Sequence, residues 1–239
     1  MIRVGIVGVG GRMGSLIAKL IDQTADIVVT AAAEQATHPL CGQKLDLVAR
    51  PQVTTLDELD LTAVDVLVDF SAPATCLKAL SVAEKKGCAF VSGTTGLTGE
   101  QLNIVRAAAF SIPIVHSPNM APGVNVFFHA VAGLAKHLGG DYEAEVVEIH
   151  HRYKVDAPSG TAKRIVEFIG RDVPCHSLRM GEVVGEHQVH FAAHGERITL
   201  THQAETREAF AQGVLCALRF VAGKQAGFFD MSHVLALNP

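Results

Sequence analysis

Two stretches of the 239-residue chain concentrate residues that can do chemistry. The first is Gly8-Val9-Gly10-Gly11-Arg12-Met13-Gly14. Glycines leave backbone N–H groups uncovered and tolerate positive φ. Set between a strand and a helix, such a loop can seat a pyrophosphate on the helix N-terminus. The spacing fits Gly8-x-x-Gly11-x-x-Gly14, with Gly10 as an extra, rather than strict G-x-G-x-x-G. Glu34 stands 20 residues beyond Gly14, just past a second apolar run. A carboxylate in that place accepts from both hydroxyls of a ribose. The combination points to dinucleotide binding; the plainer alternative is a tight strand–helix turn. Glu34 would repel a 2′-phosphate and Gln35 adds no cation, which favours NADH, while Arg12 leaves NADPH open.

The second stretch is Glu148-Ile149-His150-His151-Arg152-Tyr153-Lys154-Val155-Asp156-Ala157-Pro158-Ser159-Gly160-Thr161-Ala162. On a strand, successive side chains alternate faces. Val147, Ile149 and His151 therefore share one face, and Glu148 and His150 the other. Ser159-Gly160-Thr161 precedes an amphipathic run, and a hydroxyl-capped helix N-terminus is an anion seat. Histidine, lysine, arginine and a helix start thus fall within twelve residues, a concentration of donors suited to a substrate with two carboxylates. The same residues also read as a solvated strand and an ordinary N-cap. Neither the i, i+4 pairing on a helix nor a C-x-x-C is present, so the spacing argues against a metal. Two shorter turns, Asp69-Phe70-Ser71-Ala72-Pro73 and Gly93-Thr94-Thr95-Gly96, follow apolar runs where ligands of open parallel sheets sit.

These segments need a scaffold. The apolar runs Arg3–Val7, Asp26–Ala33, Val64–Phe70, Cys88–Ser92 and Ile112–His116 read as strands, and Met13–Ile21, Pro73–Lys86 and Gly99–Phe110 as helices. Their alternation predicts an α/β, Rossmann-like, doubly wound parallel sheet with helices on both faces. The pattern changes at Pro118-Asn119-Met120-Ala121-Pro122-Gly123, where prolines and a glycine mark a border. A helix over Val124–Leu138 follows, then strands over Glu143–His151, Cys175–Met180, Glu186–Ala193 and Arg197–Ala204, with a helix over Ala162–Ile169. This predicts a second, α+β domain built on an open mixed sheet. A helix over Ala209–Phe220 and the tail Gly227-Phe228-Phe229-Asp230-Met231 return to the first domain. The expected division is 1–121 plus 213–239 for the dinucleotide, and 122–212 for substrate and oligomerisation.

Composition narrows the classes. Apolar residues make up 49% and charged residues 18%, as in a globular rather than a disordered chain. A net charge of -4 without a basic run argues against nucleic-acid binding. No segment reaches the roughly 20 apolar residues of a membrane span, and Met1-Ile2-Arg3-Val4 enters a strand pattern with no leader. Five scattered cysteines without a C-x-x-C read as reduced thiols of a cytoplasmic protein.

The ordered set Gly8-x-x-Gly11-Arg12-Met13-Gly14, Asp69-Phe70-Ser71, Gly93-Thr94-Thr95-Gly96, Ser117-Pro118-Asn119-Met120, and His150-His151-x-x-Lys154-x-Asp156-Ala157-Pro158-Ser159-Gly160-Thr161-Ala162 resembles the dihydrodipicolinate reductases of lysine and diaminopimelate synthesis. Gly185-Glu186-His187 and Phe229-Asp230-Met231 fit the same family. The resemblance implies an NAD(P)H-dependent oxidoreductase that converts 4-hydroxy-tetrahydrodipicolinate to tetrahydrodipicolinate. It assigns His150 as general acid and Lys154 as the cation that offsets developing charge. It assigns His151, Ser159, Gly160 and Thr161 to substrate, and Gly8, Gly11, Arg12, Met13, Glu34, Phe70, Gly93, Thr95, Pro118, Asn119 and Met120 to the cofactor. Gln35 replaces the arginine of many relatives, and Ala72 a basic residue of some, so NADH is expected to serve at least as well as NADPH. The family implies a homotetramer.

Two rivals share the N-terminal signals. An amino-acid dehydrogenase of the aspartate or homoserine kind has no need of the segment from His150 to Thr161. A nucleotide sensor without turnover would tolerate loss of His150 and Lys154.

Overall fold

A computed structural model describes residues 1–237. The chain divides into two compact units, one of Met1–Met120 with the stretch beginning at Phe210, the other Ala121–Ala209.

The first unit is built on seven strands: β1 (Ile2–Val7), β2 (Ile27–Ala33), β3 (Val53–Thr54), β4 (Val66–Asp69), β5 (Ala89–Ser92), β6 (Pro113–His116) and β11 (Gly227–Phe229). They lie in the order β11-β6-β5-β4-β1-β2-β3, and every pairing is parallel. Parallel sheets are covered on both sides, so their strands are apolar throughout rather than alternating. Val66 and Val68 of β4 enter one core with Ile17 and Ile21 of α1 (Arg12–Asp22) and Val214 and Leu218 of α6 (Glu208–Val221). Leu67, between those valines, enters the opposite core with Leu80 of α2 (Pro73–Lys86) and Val105 of α3 (Gly99–Ala108). The sheet is therefore doubly wound, as the alternation of elements predicts. Strand order reverses between β1 and β4, and the loop after each carries a motif singled out above: Gly8 to Gly14 and Asp69 to Ser71.

The helix ends follow from local chemistry. Pro73 begins α2, and Gly87 ends it at φ 66. Thr98 and Gln101 form a reciprocal capping box at α3. At α1 the N-cap is Gly11, and no side chain bonds the first-turn N–H groups.

The second unit holds β7 (Glu143–His150), β8 (Cys175–Arg179), β9 (Gly185–Ala193) and β10 (Glu196–Ala204) in the order β10-β9-β7-β8. β9 runs antiparallel to both neighbours and β8 parallel to β7, so the sheet is mixed. Period-two alternation sends Ala144, Val146, Glu148 and His150 to the buried face. There they meet Val189 and Phe191 of β9; α5 (Gly160–Ile169) packs on β7, and α4 (Pro122–Leu138) packs on α5 and β10. Val147, Ile149, Gln188 and His190 occupy the other face, half-buried.

Three details differ from the sequence reading. β7 ends at His150, so His151 opens the loop instead of closing the strand. α5 starts at Gly160, because Ser159 caps it by accepting from the Ala162 N–H at 3.1 Å. β3, β11 and a short helix α7 (Met231–Val234) are additional elements. Strands of two or three residues carry too few positions for any periodicity to register.

Candidate active site

At the carboxyl end of β1, the Gly8 and Val9 N–H groups donate to the Ala33 carbonyl at the end of β2, at 2.9 and 3.3 Å. Gly8 lies at φ 77, a conformation few other residues adopt. A Cβ at Gly14 would stand 2.1 Å from the Gly8 carbonyl oxygen, so only glycine lets α1 begin this close to the loop. Glu34 is half-buried; its Oε2 accepts from the Gly10 N–H at 2.9 Å and its Oε1 from the Gln35 N–H at 2.9 Å. Arg12 is exposed at the first position of α1, and Met13 packs against the core beneath. An uncapped helix start, a glycine cradle that a side chain would fill and a carboxylate at its rim are the features a dinucleotide requires. Gly8, Gly11, Arg12 and Glu34 are the residues that would hold it.

The next two turns are welded by a residue the sequence reading quoted but gave no role. Asp69 is fully buried at the end of β4. Its carboxyl group accepts from the hydroxyls of Thr94 at 2.6 Å and Ser92 at 3.2 Å, and from that of Ser71. The Ser71 N–H donates to Thr94 Oγ1 at 3.1 Å. A polar residue ending a four-residue apolar strand was the available signal. Phe70 lies against Gly93, where an added Cβ would stand 2.1 Å from its ring. Thr95 is exposed, while its neighbour Thr94 carries the hydrogen bonds. In the turn after β6, Pro118 is exposed, Asn119 half-buried, and Met120 sits in the core.

In the second unit, His150 and Glu148 lie two apart on the inward face of β7, with 7% and 0% of their surface exposed. Glu148 contacts His150 Nδ1. It also accepts from Arg179 Nη1 at 2.9 Å, Arg179 Nη2 at 2.7 Å and the Ser159 N–H at 3.2 Å. Burial pushes this carboxyl upward, but the hydrogen bonds from Arg179, Ser177 and His150 outweigh it and hold the group at about 2. Burial lowers His150 against the pull of Glu148. It takes His187 down to about 3, with His150 and His202 acting in the same sense. The His187 and His150 rings meet edge to face at 5.2 Å, and His187 Nε2 lies 3.3 Å from Ser159 Oγ.

Lys154 follows in the loop, its ammonium 2.8 Å from Asp156. The Asp156 carboxyl is raised by burial, then lowered by Lys154 and by the Gly160 backbone, with a net fall. A carboxylate of the chain itself thus pairs with Lys154 beside the start of α5. Gly160 is exposed, while Thr161 and His151 are half-buried. The structure therefore gathers His150, Lys154, Ser159 and Gly160 around one polar cluster. It adds Glu148, Arg179 and His187, the last two contributed by β8 and β9. Among the described residues no group of three or more His, Cys, Asp or Glu is arranged to hold a metal.

Family models for the N-terminus and the C-terminus of dihydrodipicolinate reductase match residues 2–120 and 123–235. The chain belongs to the dihydrodipicolinate reductase family. A 4-hydroxy-tetrahydrodipicolinate reductase of Methanocaldococcus jannaschii is 42% identical over 271 aligned residues, covering 100% of this chain and 98% of that one. One from Geotalea uraniireducens is 39% identical, covering 100% of both. Among solved structures, a dipicolinate-bound dihydrodipicolinate reductase from Paenisporosarcina sp. TG-14 superposes with a TM-score of 0.83 at 23% identity, covering 98% of each chain. The reductase family thus accounts for both halves of the chain, the glycine loop and the histidine segment alike.

Proposed function

We propose that this protein reduces 4-hydroxy-tetrahydrodipicolinate to tetrahydrodipicolinate in lysine and diaminopimelate synthesis, drawing on NADH at least as readily as NADPH. The observation that carries the reading is the polar cluster of the second unit, in which a buried histidine, a lysine and a helix start converge within a chain of this family. Bound at the glycine loop, the reduced dinucleotide supplies hydride. The residues of the chain do the rest. The start of α5 and Lys154, which hold the Asp156 carboxylate, release it and take a substrate carboxylate in its place. His151 gives a further contact. An anionic ligand beside His150 raises its proton affinity, so the imidazolium forms where the ring of the substrate needs a proton. Lys154 offsets the negative charge that hydride addition builds. One hydride and one proton enter, and one water leaves.

Cofactor choice follows from Glu34, whose charge disfavours a 2′-phosphate, and from Gln35, which adds no cation. The half-buried face of the second sheet, with Val147 and Ile149, is an uncovered surface of the kind a homotetramer would bury. A biosynthetic reductase of this kind is placed in the cytoplasm by its role. No helix among the described residues is long and apolar enough to cross a membrane.

The test is an assay with the condensation product of aspartate semialdehyde and pyruvate, following NADH absorbance. His150→Gln should lower kcat roughly 10²–10⁴-fold with NADH affinity nearly unchanged, and Lys154→Ala should also reduce turnover. An unchanged kcat in the histidine variant would remove His150 from its role. The ratio of kcat/KM for NADH and NADPH decides the cofactor reading, and a strong NADPH preference would refute it.

A further inference from the structure

Glu148 has no exposed surface and yet is held ionised by Arg179. An ionised carboxylate has lone pairs only and donates nothing. The ring atom in contact with it is His150 Nδ1, so that nitrogen must carry the hydrogen. Nε2 is then the ring atom of His150 that gains or loses a proton. Nε2 faces Gly185 on β9, where a Cβ would stand 3.1 Å away. A side chain there would crowd the nitrogen, and glycine leaves it approachable.

This further step rests on the reading of His150 as the proton donor. We propose that Glu148 is a positioning residue that fixes His150 as the Nδ1–H tautomer, so that the proton is delivered from Nε2 alone. Arg179 keeps Glu148 in the ionised form this requires. It also ties the carboxylate to the substrate loop, donating to the Lys154 and Asp156 carbonyls at 3.3 and 2.6 Å. The Ser159 N–H joins the same carboxylate to the start of α5. Proton donor and anion seat are therefore braced by one group. In the transfer, the Nε2–H bond breaks and its electron pair stays on the imidazole. The proton bonds to the substrate atom carrying the charge built by hydride addition.

The charged and titratable groups around His150 come from each packed element. They are Glu148 on its own strand, Arg179 on β8, His187 on β9 and Lys154 in the loop. Glu148 favours the imidazolium, whereas Lys154 and Arg179 oppose it. Removing the Glu148 charge should therefore make the proton leave at lower pH.

The experiment uses full-length protein carrying 15N-labelled histidine, with His150→Gln identifying the signals of that ring. Long-range 15N–1H spectra of the unliganded wild type should show neutral His150 as Nδ1–H. In Glu148→Gln, the midpoint of His150 and the alkaline limb of kcat/KM should both fall by about 1–2 pH units. The double variant Glu148→Gln, Arg179→Gln repeats the measurement without a buried unpaired guanidinium. A wild-type ring found as Nε2–H would overturn the proposal whether or not the variants fold. So would a folded Glu148→Gln protein that keeps the wild-type midpoint, whereas in the double variant the loss of Arg179 offsets part of the fall. The spectra need no substrate, so they stand apart from the functional reading: a wild type with an Nδ1–H ring that failed to reduce the dicarboxylate would sink the reaction assignment and leave the tautomer assignment intact.

Discussion

Gly14→Ala tests the dinucleotide seat with a single methyl group. The added Cβ would stand 2.1 Å from the Gly8 carbonyl oxygen and 2.8 Å from both the Gly8 carbonyl carbon and the Val9 Cα, against an ordinary contact of 3.4 Å or more. All three neighbours are backbone, so no side chain can swing aside. Loop and helix start must separate by roughly 1 Å, at the place where N–H groups have to meet a pyrophosphate within hydrogen-bonding reach of about 3 Å. Losing one charge-assisted hydrogen bond costs about 1.5–3 kcal/mol, which converts to a Kd for NADH weaker by roughly 10- to 100-fold. Overpacking also costs stability, about 1–3 kcal/mol. Titration calorimetry with NADH, beside urea denaturation of the same sample, separates the two effects. At saturating cofactor, kcat should largely recover, since nothing in the second unit is touched. An alanine variant that binds NADH with wild-type affinity would refute the reasoning, because it would mean that the cradle at Gly8 to Gly14 does not receive the dinucleotide.

Asp69→Asn places an amide where three hydroxyls now donate to a carboxyl group. It should cost about 1–3 kcal/mol in denaturation and weaken NADH binding by loosening the Phe70 and Gly93 turns. Unaltered stability would show that the network is dispensable. The pH dependence of stability carries the signature of His187, which is 4% exposed and depressed to about 3. Between its unfolded value near 6.5 and its folded value, the unfolded chain binds a proton that the native state refuses, so stability is full above that window and falls as pH drops through it. Denaturation from pH ~6.5 to ~4.5 should show His187→Gln losing up to about 1.4 kcal/mol per pH unit of the wild-type slope, and an unchanged slope would count against a buried neutral imidazole.

The doubly wound sheet could be read along the chain, because strands covered on both faces must be apolar throughout and the intervening helices show an apolar stripe. Val66, Leu67 and Val68 demonstrate this: all are buried, on alternating sides. The glycine loop, Glu34 and the segment from His150 to Thr161 were equally legible, since each is a local run whose meaning depends on a neighbouring strand or helix. Even the pairing of Glu148 with His150 on one face follows from the two-residue period of a strand. What joins them into a working group does not. Arg179 reaches Glu148 because β8 lies parallel to β7, and His187 and Gly185 reach His150 because β9 runs antiparallel on the other side. Asp69 likewise finds Ser92 and Thr94 only through the parallel register of β4 with β5. Those contacts depend on strand order, which is set by the summed burial of distant apolar faces. No short stretch of residues encodes that sum. The chemistry of the individual groups was therefore written locally, while their ionisation and tautomer were settled by which strands became neighbours.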